Sequence, residues 1–247
     1  MPTVVDDTDD DTGILPHDDG DGDKPKAPKR KRGFVDVLLL ILAVLLIVGG
    51  AGYGIVTVIQ NHNQPATEDM AGNMVRADDT SMYDPEVIKA ADSVDDIGLR
   101  FKIDSVKLDV PLGEVNEVKG VINPPGFKSA FLIRNRGVTL ENADKGTVYV
   151  AAHSLRGGGI APGNYVIDKD TASIIVPYGS TIQVGDRTYV MTSSEVVNKP
   201  DLGNDAKLWA DTPGMLVFIT CMQYTSYANY QNGHSPTNAV IIGQLVS

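Results

Sequence analysis

Leu99-Arg100-Phe101-Lys102-Ile103 and Val106-Lys107-Leu108-Asp109-Val110 alternate apolar and polar residues, the period of strands with one face in a core and the other in water. Short runs rich in Val, Ile, Tyr and Thr follow, and they predict further strands over Val115–Val121, Gly146–Ala152, Ile174–Val176, Ser180–Val184, Thr188–Thr192, Leu216–Thr220 and Ala239–Val246. Turn signals separate them: Asn123-Pro124-Pro125-Gly126, Pro177-Tyr178-Gly179 and Gly185-Asp186. The pattern holds no long amphipathic helix from Ile97 onward, and only one short helix before it, over Pro85–Ala91. Such a series of strands predicts an all-β barrel or sandwich over residues 97–247.

The N-terminal part has a different pattern. Val37 to Ile59 is a run of 23 residues without a charge. As a helix it would extend about 34 Å, enough to cross a hydrocarbon core of about 30 Å. Lys24, Lys26, Lys29, Arg30, Lys31 and Arg32 precede it, and Gln60 to Glu68 carries no Lys or Arg. That asymmetry places the N-terminus in the cytoplasm and everything after Ile59 outside. The run is longer than the apolar region of a cleaved signal peptide and no A-x-A site follows it, so an uncleaved anchor is expected. The predicted organisation is therefore a disordered tail over 1–33, a transmembrane signal anchor over 34–59, an extracellular linker over 60–96 and a β-domain over 97–247. The expected location is the cell membrane, crossed once, with the C-terminal domain extracellular.

Charge adds exclusions. The net charge is −11, and residues 1–23 hold nine Asp with no Lys or Arg. Phosphate neutralisation needs clustered cations, so nucleic-acid binding is not expected. Cys221 is the sole cysteine, which excludes an internal disulfide and a Cys-rich metal site. The spacing of Asp104, Asp109, Glu114 and Glu117 fits no EF-hand loop. Neither a metal nor a cofactor is predicted.

Two strands end on residues suited to thiol chemistry. The run Leu216-Val217-Phe218-Ile219-Thr220 closes on Cys221 and is followed by a polar, turn-rich segment. Thr147-Val148-Tyr149-Val150-Ala151-Ala152 closes on His153, followed by Ser154-Leu155-Arg156-Gly157-Gly158-Gly159. A cysteine nucleophile acts as thiolate, and a nearby imidazole supplies the base or the stabilising cation. Adjacent strands of one barrel would bring the two together. A third group is needed to stabilise an oxyanion, a role suited to a cation. No Arg or Lys occurs after Lys207; the loop after Cys221 offers polar groups instead, and Arg156 is the cation nearest either residue in sequence.

These features resemble the sortases, membrane-anchored cysteine transpeptidases of Gram-positive bacteria. Where the family has Leu-x-Thr-Cys at a strand end, this chain has Phe218-Ile219-Thr220-Cys221. Where it has Ala-Gly-His or similar after an apolar strand, this chain has Ala151-Ala152-His153. The final strand of the Val-Val-x-Ala-x-Leu kind is matched by Val240-Ile241-Ile242-Gly243-Gln244-Leu245. The class F branch of actinobacteria is most similar: its Gly-His-Tyr-Arg-Asp-Asn-Val-Val aligns with Gly233-His234-Ser235-Pro236-Thr237-Asn238-Ala239-Val240. The resemblance implies an eight-stranded β-barrel, with Cys221 as nucleophile and His153 as acid and base. It implies cleavage of a Leu-Pro-x-Thr-Gly type sorting motif near the C-terminus of substrate proteins. The acyl group then passes to an amine of the peptidoglycan precursor or of a pilin lysine. This chain departs from the pattern at the family's arginine, which falls on Pro236, or on Thr237 or Asn238 after a small shift. Asn238, His234 and Arg156 are the candidate replacements as oxyanion stabilisers. The alternatives are a catalytically degenerate module that still binds a peptide, and a thiol hydrolase.

Overall fold

The computed structural model describes residues 66–75, 85–231 and 233–246. The predicted tail, the predicted span Val37–Ile59 and part of the predicted linker lie outside the described residues. Strands β1 (Thr67–Glu68) and β2 (Met74–Val75) form a small hairpin, and α1 (Pro85–Ala91) is the short helix expected from sequence. They are followed by β3 (Val94–Ile103), β4 (Leu108–Val115), β5 (Ala130–Ile133), β6 (Thr147–Ala151), β7 (Ile167–Asp168), β8 (Ser173–Ile174), β9 (Thr181–Val184) and β10 (Arg187–Asn198). A single helical turn, α2 (Lys199–Leu202), then leads to β11 (Met215–Cys221) and β12 (Thr237–Leu245).

Eight strands close into a barrel in the order β10-β12-β11-β6-β5-β4-β3-β9, with β9 paired back onto β10. The interior is apolar: Phe101, Ile103, Leu112, Val148, Val150, Leu216, Phe218 and Ile241 are buried in one cluster. The Phe101 and Phe218 rings meet there at 4.8 Å. A second cluster covers the outside of one wall. Tyr149 and Ala151 of β6, Val217 and Ile219 of β11 and Val240 of β12 pack under Leu202 and Leu208, with Trp209 against them. Hydrogen bonds tie this cover down: Tyr149 Oη donates to Leu208 O at 2.9 Å and Trp209 Nε1 donates to Leu202 O at 2.6 Å. Burial also pushes the Tyr149 phenol up from its ordinary pKa. With both faces buried, β6 and β11 read as continuous apolar runs rather than alternating ones.

Several boundaries differ from the sequence expectation. The strand predicted over Val115–Val121 does not form: β4 ends at Val115, and the chain turns through Lys119 and Gly120, both at positive φ, under an isolated Val118–Val121 bridge. Val106 lies in a 3-10 turn that ends at left-handed Lys107, so β4 starts two residues later than the alternation suggests. β5 was not predicted; its four residues gain strand geometry from pairing parallel to β4 and antiparallel to β6. β10 runs on to Asn198 through exposed polar Thr192–Glu195, because β12 supplies the ladder. In place of Ile174–Val176 there is only a two-residue pairing of β7 with β8.

The β1–β2 hairpin docks on the loop that follows β6. Buried Asp69 accepts hydrogen bonds from the backbone N–H of Ala71 at 2.9 Å, Asn73 at 2.8 Å and Ile160 at 3.0 Å. Met70 N returns a bond to Ile160 O at 2.9 Å. Burial opposes charge on Asp69, and these donors outweigh it, so its pKa is lowered.

Candidate active site

Residues of one face of β11 alternate with those of the other. Val217 and Ile219 belong to the outer layer, so Cys221 shares the outer face, while Thr220 points inward with Leu216 and Phe218. β11 and β12 are antiparallel, with Cys221 opposite Asn238. Directly opposed residues present side chains on the same face, so the thiol and the Asn238 carboxamide stand side by side. β11 and β6 are parallel, with Ile219 opposite Ala151, and Ala152 N donates to Ile219 O at 3.1 Å just past the end of β6. Two residues further along this register, Cys221 faces His153. The topology thus aligns His153, Cys221 and Asn238 in one row across β6, β11 and β12.

The row lines a cleft of about 460 Å³ on the outer wall. Ala151 and Ile219 line it, as do Val121, Ile122 and Phe127 from the β4–β5 connection and Leu202 and Trp209 from the segment after β10. A cleft lined by apolar side chains together with a reactive thiol and imidazole suits a peptide segment. Cys221 is half-buried, accessible yet held by the strand.

His153 is fixed from the β4–β5 connection. Its Nε2 lies 2.8 Å from Pro124 O, and since a carbonyl only accepts, Nε2 carries the proton and donates. Phe127 meets the ring edge-on at 5.3 Å. The loop after His153 is braced by Asn164, whose Oδ1 accepts from Leu155 N and Ala161 N, each at 2.8 Å, while its Nδ2 donates to Leu155 O at 2.7 Å. The turn after Cys221 is bound to this loop as well. Ser154 Oγ donates to Cys221 O, and Gln223 Nε2 donates to Ser154 O at 2.9 Å. Tyr230 Oη donates to Gln223 Oε1 at 2.9 Å. The sequence did not single out Pro124, Phe127 or Ser154 as groups that orient the site, and offered Gln223 only as one polar residue of the loop after Cys221. A strand-ending His and Cys announce themselves, but the groups that orient them come from connections whose proximity only the barrel sets.

Close packing holds the two strand ends together. Gly163 N donates to His153 O at 2.8 Å. A Cβ at Gly163 would meet Thr220 Oγ1 at 2.0 Å and His153 O at 2.8 Å. Gly163→Ala must therefore displace both neighbours, and we predict a loss of about 1–3 kcal/mol in stability. Urea unfolding measures it, and slower alkylation of Cys221 should accompany it. An unchanged unfolding midpoint would show that the contact relaxes freely.

The three candidates for the oxyanion role are placed differently. Asn238 is buried and lines the cleft beside Cys221. His234 also lines the cleft, exposed, in a bridge with Gln231. Arg156 is not part of the cleft lining. Its guanidinium sits 5.5 Å from the Tyr227 ring centre and 5.6 Å from that of Tyr230, and Nη1 donates to Gly233 O at 2.6 Å. It joins the His153 loop to the loop after Cys221. Arg136, not singled out from sequence, does line the cleft; it pairs with Glu117 and stacks on Trp209 at 4.6 Å. The hydrogen bond to Glu117 raises its pKa above the ordinary value.

Among the described residues no group of three or more His, Cys, Asp or Glu is placed to hold a metal ion. No protein-family profile and no curated protein matches the chain. Solved structures do match. Sortase A of Listeria monocytogenes is 16% identical, over 60% of this chain and 86% of that one, at a TM-score of 0.42. A lid mutant of sortase A from Corynebacterium diphtheriae is 14% identical over 64% of this chain and 74% of its own, also at 0.42. Sortase C-1 from Streptococcus pneumoniae is 12% identical over 60% of this chain and 66% of its own, at 0.40. The solved structures that this chain is similar to thus include sortases of both the A and the C classes.

Proposed function

We propose that the protein is a sortase-like cysteine transpeptidase. The observation that carries this is the row His153–Cys221–Asn238 in the lining of a peptide-sized cleft. The resemblance of Gly233–Val240 to the class F motif supports a reading within that branch. The Cys221 thiolate attacks a backbone carbonyl of a Leu-Pro-x-Thr-Gly type sorting signal. The carbon–sulfur bond forms, the carbon–nitrogen bond breaks, and His153 gives a proton to the departing amine. An acceptor amine then attacks the thioester, passes its proton to His153 and restores the thiolate as the new amide forms. The acceptor is an amine of the peptidoglycan precursor or of a pilin lysine. Asn238 is the best placed of the three named candidates to donate to the oxyanion, because it alone is directly opposite Cys221.

The proposed enzyme sits at the cell membrane. The uncharged run Val37–Ile59 behind a basic cluster supports a single membrane span with the barrel outside, where substrates and lipid-linked acceptors meet. The test is incubation of the full-length protein with a fluorescent sorting-motif peptide and an amine such as triglycine. Mass spectrometry should find the amine joined to the N-terminal fragment. Cleavage without joining would identify a thiol hydrolase, and binding without cleavage a degenerate peptide-binding module.

A further inference from the structure

We propose that Lys199 supplies the positive charge beside the row His153–Cys221–Asn238, its ammonium stabilising the oxyanion formed at Cys221. The proposal rests on the reading of Cys221 as nucleophile.

The sequence lacks a cation on β12 around Pro236–Asn238, and the fold brings one there from the next strand. β10 pairs with β12 so that Val197 opposes Asn238 and Asn198 opposes Thr237. Lys199 N continues this ladder by donating to Pro236 O at 2.9 Å. Val197 packs on the outer layer of the barrel wall. Lys199, the first residue of α2 just past the end of β10, lines the cleft together with His153, Cys221 and Asn238. With strands about 4.8 Å apart and a rise of about 3.3 Å per residue, the Lys199 and Cys221 backbones are separated by roughly 12 Å. A four-carbon stem brings the ammonium well into that interval, leaving room for a substrate carbonyl bonded to sulfur.

The other cations fit less well. Arg136 is engaged by Glu117 and Trp209, and Trp209 stacks on Tyr149 at 5.1 Å. Tyr149 is four residues from His153 along the chain, about 13 Å at strand rise. Arg156 is outside the lining and stacked on two tyrosines. Among the described residues no carboxylate is paired with Lys199.

Two measurements on the full-length protein test the assignment. The first needs no substrate. Rates of Cys221 alkylation by anionic iodoacetate and neutral iodoacetamide are compared at fixed pH. In Lys199→Ala the iodoacetate-to-iodoacetamide ratio should fall about threefold or more, and added salt should shrink the difference. Lys199→Arg should preserve the ratio, and Lys207→Ala, outside the cleft, should not alter it. The second is peptide transfer: Lys199→Ala should lose about 10²-fold in kcat with little change in KM, and Lys199→Arg should recover most of it. A reagent ratio that ignores Lys199→Ala, or a wild-type kcat in that variant, overturns the proposal. If the wild-type protein transfers no peptide while the ratio still responds, the transpeptidase reading fails and the charge at Cys221 stands.

Discussion

Cys221→Ala should abolish peptide transfer, by at least about 10⁴-fold, while leaving the barrel folded. Every step proposed for the reaction passes through the sulfur, and among the described residues no second thiol can substitute. The substitution is also mild for the fold. Cys221 ends β11 half-buried, and its ladder to Asn238 uses backbone atoms that alanine keeps. A shift in stability within about 1 kcal/mol is expected. Cys221→Ser should be nearly as inactive, because a hydroxyl is not ionised near neutral pH as a thiol can be. Mass spectrometry of the wild-type protein with a slowly resolved peptide should show an acyl adduct on Cys221 alone. Transfer that persists in Cys221→Ala would remove the nucleophile from this site altogether.

His153→Ala is expected to cost about 10²–10⁴-fold in transfer, the range for loss of a general acid–base group. The structure gives the imidazole a defined orientation through Pro124 O and the edge of Phe127. An orienting hydrogen bond to a backbone carbonyl is how a neutral imidazole is fixed in one tautomer. Removing the ring should also slow labelling of Cys221 by a thiol reagent at neutral pH. The comparison that isolates catalysis is a leaving group that needs no proton. A thioester analogue of the substrate should be acylated onto Cys221 with a smaller penalty in His153→Ala than the peptide is. An equal penalty for both would make His153 a structural residue, packing against Phe127 rather than moving protons.

What could be read from sequence follows from how burial is distributed. β6 and β11 stand out because both of their faces are covered, one by the barrel interior and one by Leu202, Leu208 and Trp209. Their ends, His153 and Cys221, were legible for the same reason: reactive residue types follow directly on strong apolar runs. β5 was not legible, since Ala130–Ile133 is short and its strand character comes from two neighbours distant in sequence. The cation was sought after Cys221 and next to His153, and neither place holds one in the cleft. Lys199 escaped notice because its nearness to Pro236 is a property of the β10–β12 register, which no local pattern encodes. The exposed polar half of β10, beyond the Thr188–Thr192 strand that the pattern predicts, owes its extension to the same register.

The position of β12 has a consequence for the order in which the protein matures. It is inserted between β10 and β11, so the wall bearing the thiol has no second neighbour until residues 237–245 arrive. During vectorial synthesis every other strand of the barrel precedes it. Cys221 therefore emerges before Asn238 and before Lys199 can be drawn beside it. A nascent chain thus carries the thiol without Asn238 and Lys199 beside it, and the row is complete only when β12 enters the barrel.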